Sequence, residues 1–374
     1  MLKRETVVSQ KPEAVLFISF GGPEKGEDIR PFLEIVTRGR PIPPERIAEV
    51  AHHYEAIGGS SPINTITARQ AEKLREALAQ GALPWPVYVG NRNWHPFIED
   101  TLRKMMADGI RRAIGFCTAA QRSEASLERY VNAVETARKN IGEAAPVIDF
   151  VSPWFDHVLF IQAIVARAQD AMAAIPEANR KALSVIFTAH SIPCAMAKEP
   201  TYVVELQTIA ERVIRQMDIR SWKLAYSSRS GNPRDPWLEP DICAEIKTQA
   251  ERGVGHILII PIGFIADHVE VLFDLDVEAK ASADEAGVNL YRAKTVGDHP
   301  LFIQMITEVV LQRAYSEENL EMTHSQTTRF QDGRVMASPG RLSRVCYCQP
   351  EAISPPCCQV FTPVGSRPAV QVKP

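Results

Sequence analysis

No stretch of this 374-residue chain is long and apolar enough to read as a membrane-spanning helix. The opening residues, MLKRETVVSQKPEA, hold no signal-peptide core, and the AVLFISF run that overlaps them is too short to act as one. A GxxxxGK[ST] phosphate loop is absent, no GxGxxG follows the first strand, and no GxSxG elbow surrounds a serine. These absences leave P-loop, dinucleotide and serine-hydrolase chemistry with little support. The CxxC and HExxH spacings are also missing, which argues against a tight structural zinc site. Neither sign of charge dominates: 42 basic residues against 45 acidic ones leave a net charge of −3. That balance implies neither a nucleic-acid partner nor an anionic membrane surface. A cytoplasmic protein without stable membrane insertion is expected.

What is present is a regular alternation of two periods. Continuous apolar runs such as AVLFISF, AIGFCTA, SVIFT and ILIIPI read as strands buried on both faces. Amphipathic segments of helical period lie between them, and strands alternating with helices along the chain predict doubly wound parallel sheets. Length suffices for two domains, each with its own core. We place an α/β domain at 14–150, a second at 151–314, and a disordered, Pro- and Cys-containing tail at 315–374, polar and without periodicity. No residue-level repeat relates the two halves. Of seven cysteines, Cys117, Cys194 and Cys243 are scattered, whereas Cys346, Cys348, Cys357 and Cys358 crowd into the tail.

The segment Ile257–Lys280 organises the rest. Its apolar run leads into Asp267 and His268 and then into a helical pattern, with Leu272, Leu275 and Ala279 on one face. Glu270, Asp274 and Glu278 follow at i, i+4 and i+8 on the opposite face. Repelling acids at this spacing are destabilising unless a cation relieves them, although an acidic first turn also suits the helix dipole. His190 ends another buried strand, in TAHSIP, where sheets of this class open onto a ligand crevice. If the two strands are neighbours, His190 and Glu270 face each other. An imidazole opposite a carboxylate can bind a divalent first-row metal or take protons near neutral pH. Phe20, Tyr54, Trp94, Tyr130 and Trp237 fall near strand ends or loop mouths. With Arg38 and Arg40 they suit a large flat apolar ligand bearing carboxylates.

Several long segments, in order, resemble the ferrochelatase family: FGGPEKGEDIRPFLE, VTRGR, HYEAIGGSSPIN, VYVGNRNW, TAHSIP, SSRSGNPRDPWLEPD and PIGFIADHVEVLFDLDVEA. The resemblance runs from about Ala14 to Ala314. It implies two similar Rossmann-like doubly wound parallel-sheet domains, the chelatase fold, with porphyrin held in the cleft between them. It implies an enzyme that inserts Fe2+, as a substrate, into a porphyrin in haem synthesis, with no cofactor required. By position, His190 matches the active-site histidine, Glu270 its partner, and Asp274 and Glu278 an acidic row leading metal inward. Ser61 and Tyr130 match porphyrin-contacting positions, and Tyr54 and Arg38 fall in segments lining the same cleft. Phe20 stands where some coproporphyrin enzymes carry an iron-ligating tyrosine, so a phenolate ligand is excluded there. The segments look most like the branch that metallates coproporphyrin III; protoporphyrin IX is the alternative. Some relatives hold a [2Fe–2S] cluster on one internal and three C-terminal cysteines. Here the internal position is Leu127, leaving Cys346, Cys348, Cys357 and Cys358 as the thiolates available to a cluster. A monomer is expected. Two rival expectations are a chelatase loading cobalt or nickel into a tetrapyrrole, and a non-enzymatic two-lobed tetrapyrrole-binding protein.

Overall fold

The computed structural model describes residues 11–39, 42–81, 83–124, 126–197, 201–217, 219, 221–230 and 235–315. Strands β1 (Ala14–Ser19), β2 (Val87–Asn91), β3 (Arg112–Cys117) and β4 (Val147–Phe150) form one parallel sheet in the order β2-β1-β3-β4. Strands β5 (Ser184–His190), β6 (Trp222–Ser227), β7 (His256–Pro261) and β8 (Asn289–Arg292) form another, ordered β6-β5-β7-β8. The second order is the first one repeated, so a repeat invisible in the residues is present in the topology. Parallel neighbours require long crossovers, and helices such as Ile63–Gln80 and Thr201–Ile214 supply them. With helices on both faces, all six residues of β1 are buried, which is why its sequence does not alternate.

One continuous apolar core joins the sheets. It runs from Phe17 and Phe116 through Trp154, Phe160 and Phe302 to Phe187 and Ile260. Stacked and edge-on rings carry it, with Phe116 and Trp154 centroids 5.4 Å apart and Trp154 and Phe160 centroids 5.1 Å apart. The closing helix, Pro300–Ala314, packs against the helices Ile63–Gln80 and Val158–Ala173. Among the described residues no helix is long and apolar enough to cross a membrane.

In each sheet the chain goes outward from the first strand to the second and returns to the third on the other side. That reversal lies between β1 and β3, and again between β5 and β7. Open α/β sheets bind ligands just beyond the carboxyl ends of such strands. The two reversals therefore define two half-sites.

The acidic helix is not one regular helix. A short α-turn, Val269–Leu272, passes into a π-turn, Asp274–Glu278, and then into the α-helix Ala279–Glu285. The Glu278 amide donates to the Phe273 carbonyl, five residues back, at 3.0 Å. In a regular α-helix, residues four apart drift by roughly 40° per step. The wider π-turn opposes that drift over the step from Asp274 to Glu278.

Candidate active site

A cavity of 280 Å³ sits where the two half-sites meet. Phe20, Thr118 and Tyr130 line it from the first sheet's side, and His190, His268 and Glu270 from the second. Phe20 follows β1, Thr118 follows β3, His190 ends β5, and His268 and Glu270 follow β7, while Tyr130 comes from the helix Leu127–Ile141. Gly263, also on the lining, allows the chain leaving β7 to press against β5. A Cβ built there would lie 2.6 Å from the Ala189 Cβ and 2.7 Å from its Cα. The Gly263 amide donates to the Thr188 carbonyl at 3.1 Å, clamping the two strand ends together.

That clamp brings His190 to Glu270. The His190 Nδ1 lies 3.0 Å from the Glu270 Oε2, and the His268 Nε2 lies 3.5 Å from the same oxygen. The Tyr202 hydroxyl, from the helix Thr201–Ile214, donates to the His190 carbonyl at 3.0 Å and fixes the strand end. Burial pulls the His190 pKa down, but the charge and hydrogen bond of Glu270 outweigh it, and the net direction is upward. Burial likewise opposes ionisation of Glu270, and the adjoining imidazoles overcome it, holding the carboxyl well below its ordinary range. With Nδ1–H donating to Glu270, Nε2 is the nitrogen left for chemistry, the usual arrangement when a carboxylate orients a reactive imidazole.

Behind this pair lies Asp274, buried and accepting a hydrogen bond from the Ser228 hydroxyl. Ser228 adopts φ 65°, a left-handed conformation that residues other than glycine seldom take, and it does so where its hydroxyl meets Asp274. Burial first, and the Glu270 charge second, push the Asp274 carboxyl up to about 7. Glu278 lies at the surface, and the partial loss of water around it, together with the nearby Asp241 charge, raises its pKa as well. The three acids thus run from a part-buried carboxylate to a surface one. Asp276, between them, points elsewhere, into a 2.7 Å contact with Arg292.

The chain matches the ferrochelatase family model over residues 12–314. A coproporphyrin III ferrochelatase of Mycobacterium avium is 42% identical over 301 residues, covering 80% of this chain and 87% of that protein. The chain belongs to the ferrochelatase family. A ferrochelatase of Rhodopirellula baltica is 40% identical over 305 residues, covering 80% of this chain and 86% of that one. The solved structure of SirB from Bacillus subtilis with Fe3+ aligns at a TM-score of 0.51 with 13% identity, over 82% of this chain and 97% of that one. At that identity it bears on the fold alone, and the expected chelatase arrangement of two parallel sheets is present.

Within this ferrochelatase-family fold the expected residues fall into three places. Phe20, Tyr130, His190 and Glu270 line one cavity. Asp274 and Glu278 continue from Glu270 along the π-turn. Tyr54, Ser61 and Arg38 are not on that lining. Tyr54 is a core residue, 4% exposed, packed with Phe32, Val269 and Phe273 beneath the Glu270 helix. Ser61 is buried with its Oγ 3.1 Å from where a Cβ on Gly22 would stand. Arg38 lines an adjoining cleft. Arg40 and the four tail cysteines lie outside the described residues. Sequence reasoning left out Ser228, Tyr202 and Arg129 and gave His268 no role. Ser228 lies in SSRSGNPRDPWLEPD, one of the segments that carry the family resemblance, and His268 adjoins the acidic pattern; nothing local marks Tyr202 or Arg129.

Proposed function

We propose that this chain inserts Fe2+ into a porphyrin in haem synthesis, with coproporphyrin III the favoured substrate and Fe-coproporphyrin III the product. The observation that carries this is the His190–Glu270 contact of 3.0 Å inside a cavity built at the reversal points of both sheets. In this reading residues 14–150 and 151–314 act as two domains gripping the ring between them. The choice of porphyrin follows the name borne by the Mycobacterium avium relative.

The net reaction replaces two pyrrole N–H protons with one Fe2+. Neutral His190 offers Nε2 to a leaving proton or to iron, and Glu270 balances the charge that passes. Among the described residues no group of three or more His, Cys, Asp or Glu forms a ready metal cage. Few protein donors suit a cargo ion, because the ring nitrogens must take over coordination without competition. Asp274, with its carboxyl near 7, can exchange a proton or a cation at working pH. Glu278 stands outermost as the point of entry. Phe20 and Tyr130 bear on the ring, while Tyr54 supports the helix of Glu270 from below. Ser61 and Arg38 stand behind and beside the cavity, the latter toward the carboxylates of the ring edge. A rigid cleft can also bend the macrocycle and expose its lone pairs, drawing on porphyrin binding energy.

The protein works in the cytoplasm as a monomer in this reading. No cofactor is required in this reading; a [2Fe–2S] cluster on Cys346, Cys348, Cys357 and Cys358 is the alternative, which the visible spectrum of anaerobically purified protein tests, and a colourless protein discards it. His190→Ala tests the reaction itself: metal insertion should be abolished while porphyrin still binds with its absorbance shift. Turnover retained in that variant refutes the assignment, and a strong preference for cobalt with a precorrin-type ring refutes the iron reading.

A further inference from the structure

Arg129 is left without a task by the proposed reaction. It is the third residue of the helix Leu127–Ile141, in the turn where the helix dipole disfavours a cation. Its side chain is half-buried, and among the described residues none hydrogen-bonds or ion-pairs with it. It lines both the 280 Å³ cavity and an adjoining cleft of 770 Å³, so it stands at the seam between them. Arg92 lines the same two spaces, with its guanidinium 5.8 Å above the Phe20 ring. Arg129 shares the cavity lining with His190, and its positive charge acts on that imidazole, lowering its pKa against the pull of Glu270. A cation kept in a turn that disfavours it, beside a second cation, is a place built for an anion.

The porphyrins differ in what they would bring there. Protoporphyrin IX carries two propionates on neighbouring pyrroles and can be buried vinyl edge first. Coproporphyrin III carries a propionate on each of its four pyrroles, so burying any edge takes a carboxylate out of water. An unpaired buried carboxylate is penalised by several kcal/mol. We propose that Arg129, with Arg92 beside it, pairs with a propionate that coproporphyrin III carries where protoporphyrin IX carries a vinyl group, and so determines substrate choice. This rests on the porphyrin reading above and adds to it a residue that sets specificity.

The test compares wild type, Arg129→Gln and Arg129→Lys with both porphyrins. Affinity is taken from absorbance titration without metal, and kcat and KM from anaerobic Fe2+ insertion. Arg129→Gln should weaken coproporphyrin III binding and raise its KM by about 10- to 100-fold, the loss of one charge-assisted pair. Its kcat, and its affinity for protoporphyrin IX, should move less than about threefold, well inside one such pair. Arg129→Lys should recover much of the loss, and unchanged unfolding midpoints would place the effect in binding. Equal losses for both porphyrins, or no loss for either, overturn the assignment of Arg129. Failure of the wild type to metallate any porphyrin overturns the underlying reading instead, and the two failures are distinguishable.

Discussion

Gly263 and Gly255 sit just beyond opposite ends of β7, and replacing each by alanine should have opposite consequences. At Gly263 the added methyl would meet the Ala189 Cβ at 2.6 Å and its Cα at 2.7 Å. Carbon atoms sit comfortably about 3.5–4.0 Å apart, so roughly 1 Å of separation is required. Part of the obstacle is backbone, which cannot swing aside as a side chain would. The strain of such overpacking is typically about 1–3 kcal/mol. The displaced residue immediately precedes His190, so the movement falls on the contact with Glu270. A shift of about 1 Å in a reacting group can slow turnover on the order of 100-fold. At Gly255, by contrast, a Cβ meets nothing within 4 Å. Alanine there should leave turnover unchanged and stability equal or slightly higher, by about 0.4–1 kcal/mol, through loss of unfolded-state freedom. Anaerobic metal-insertion kinetics and denaturant unfolding on the two variants read both quantities. Wild-type kcat in Gly263→Ala, or matching losses in the two variants, would refute the claim that close packing of β5 on the β7 exit positions His190.

Further expectations follow from the electrostatics. Because Glu270 raises the His190 pKa, the basic form is reached above the ordinary value of 6.5, so kcat/KM should climb with pH through a pKa higher than that. Glu270→Gln should move that limb toward lower pH, and an unmoved limb would mean that another group is titrating. The same raised pKa adds stability that is full below 6.5 and fades as pH rises through the folded value. Asp274 is likewise raised, from 3.8 to about 7, so its buried charge weakens the fold as pH climbs between those values. Asp274→Asn should therefore leave the unfolding midpoint alone below pH 3.8 and raise it most above pH 7, whereas a pH-independent shift would point to lost packing. Arg122→Ala removes the guanidinium held 2.6 Å from Glu205, which is 2% exposed, and leaves that carboxylate buried with one backbone donor. Denaturant unfolding should show a loss of about 1–3 kcal/mol, and no loss would place the carboxylate in contact with water.

Much of the fold was legible because parallel strands covered on both faces carry unbroken apolar runs, as in AVLFI of β1 and ILIIP of β7. The closing helix, Pro300–Ala314, carried both its proline start and its period. The facing of His190 and Glu270 was legible in the same way, from two strand ends and an acidic spacing. The shared strand order of the two sheets was not, because pairing order depends on crossover direction and leaves no mark on residue type. DLDVE is compatible with an α-helix, and only the hydrogen bond from Glu278 back to Phe273 reveals the wider turn. Tyr54 ends a helix near a glycine pair, as a cleft residue would, but its ring packs among Phe32, Val269 and Phe273. Arg129 was hidden for the opposite reason. In sequence it is one charge among several on a polar helix face, and only the cavity beside it distinguishes it.

The most direct test of the central claim is anaerobic Fe2+ insertion into coproporphyrin III and protoporphyrin IX, side by side, with wild type and His190→Ala. Wild-type turnover should favour coproporphyrin III, and His190→Ala should show no turnover even though its porphyrin absorbance shift persists. Insertion at an undiminished rate by His190→Ala would contradict that claim.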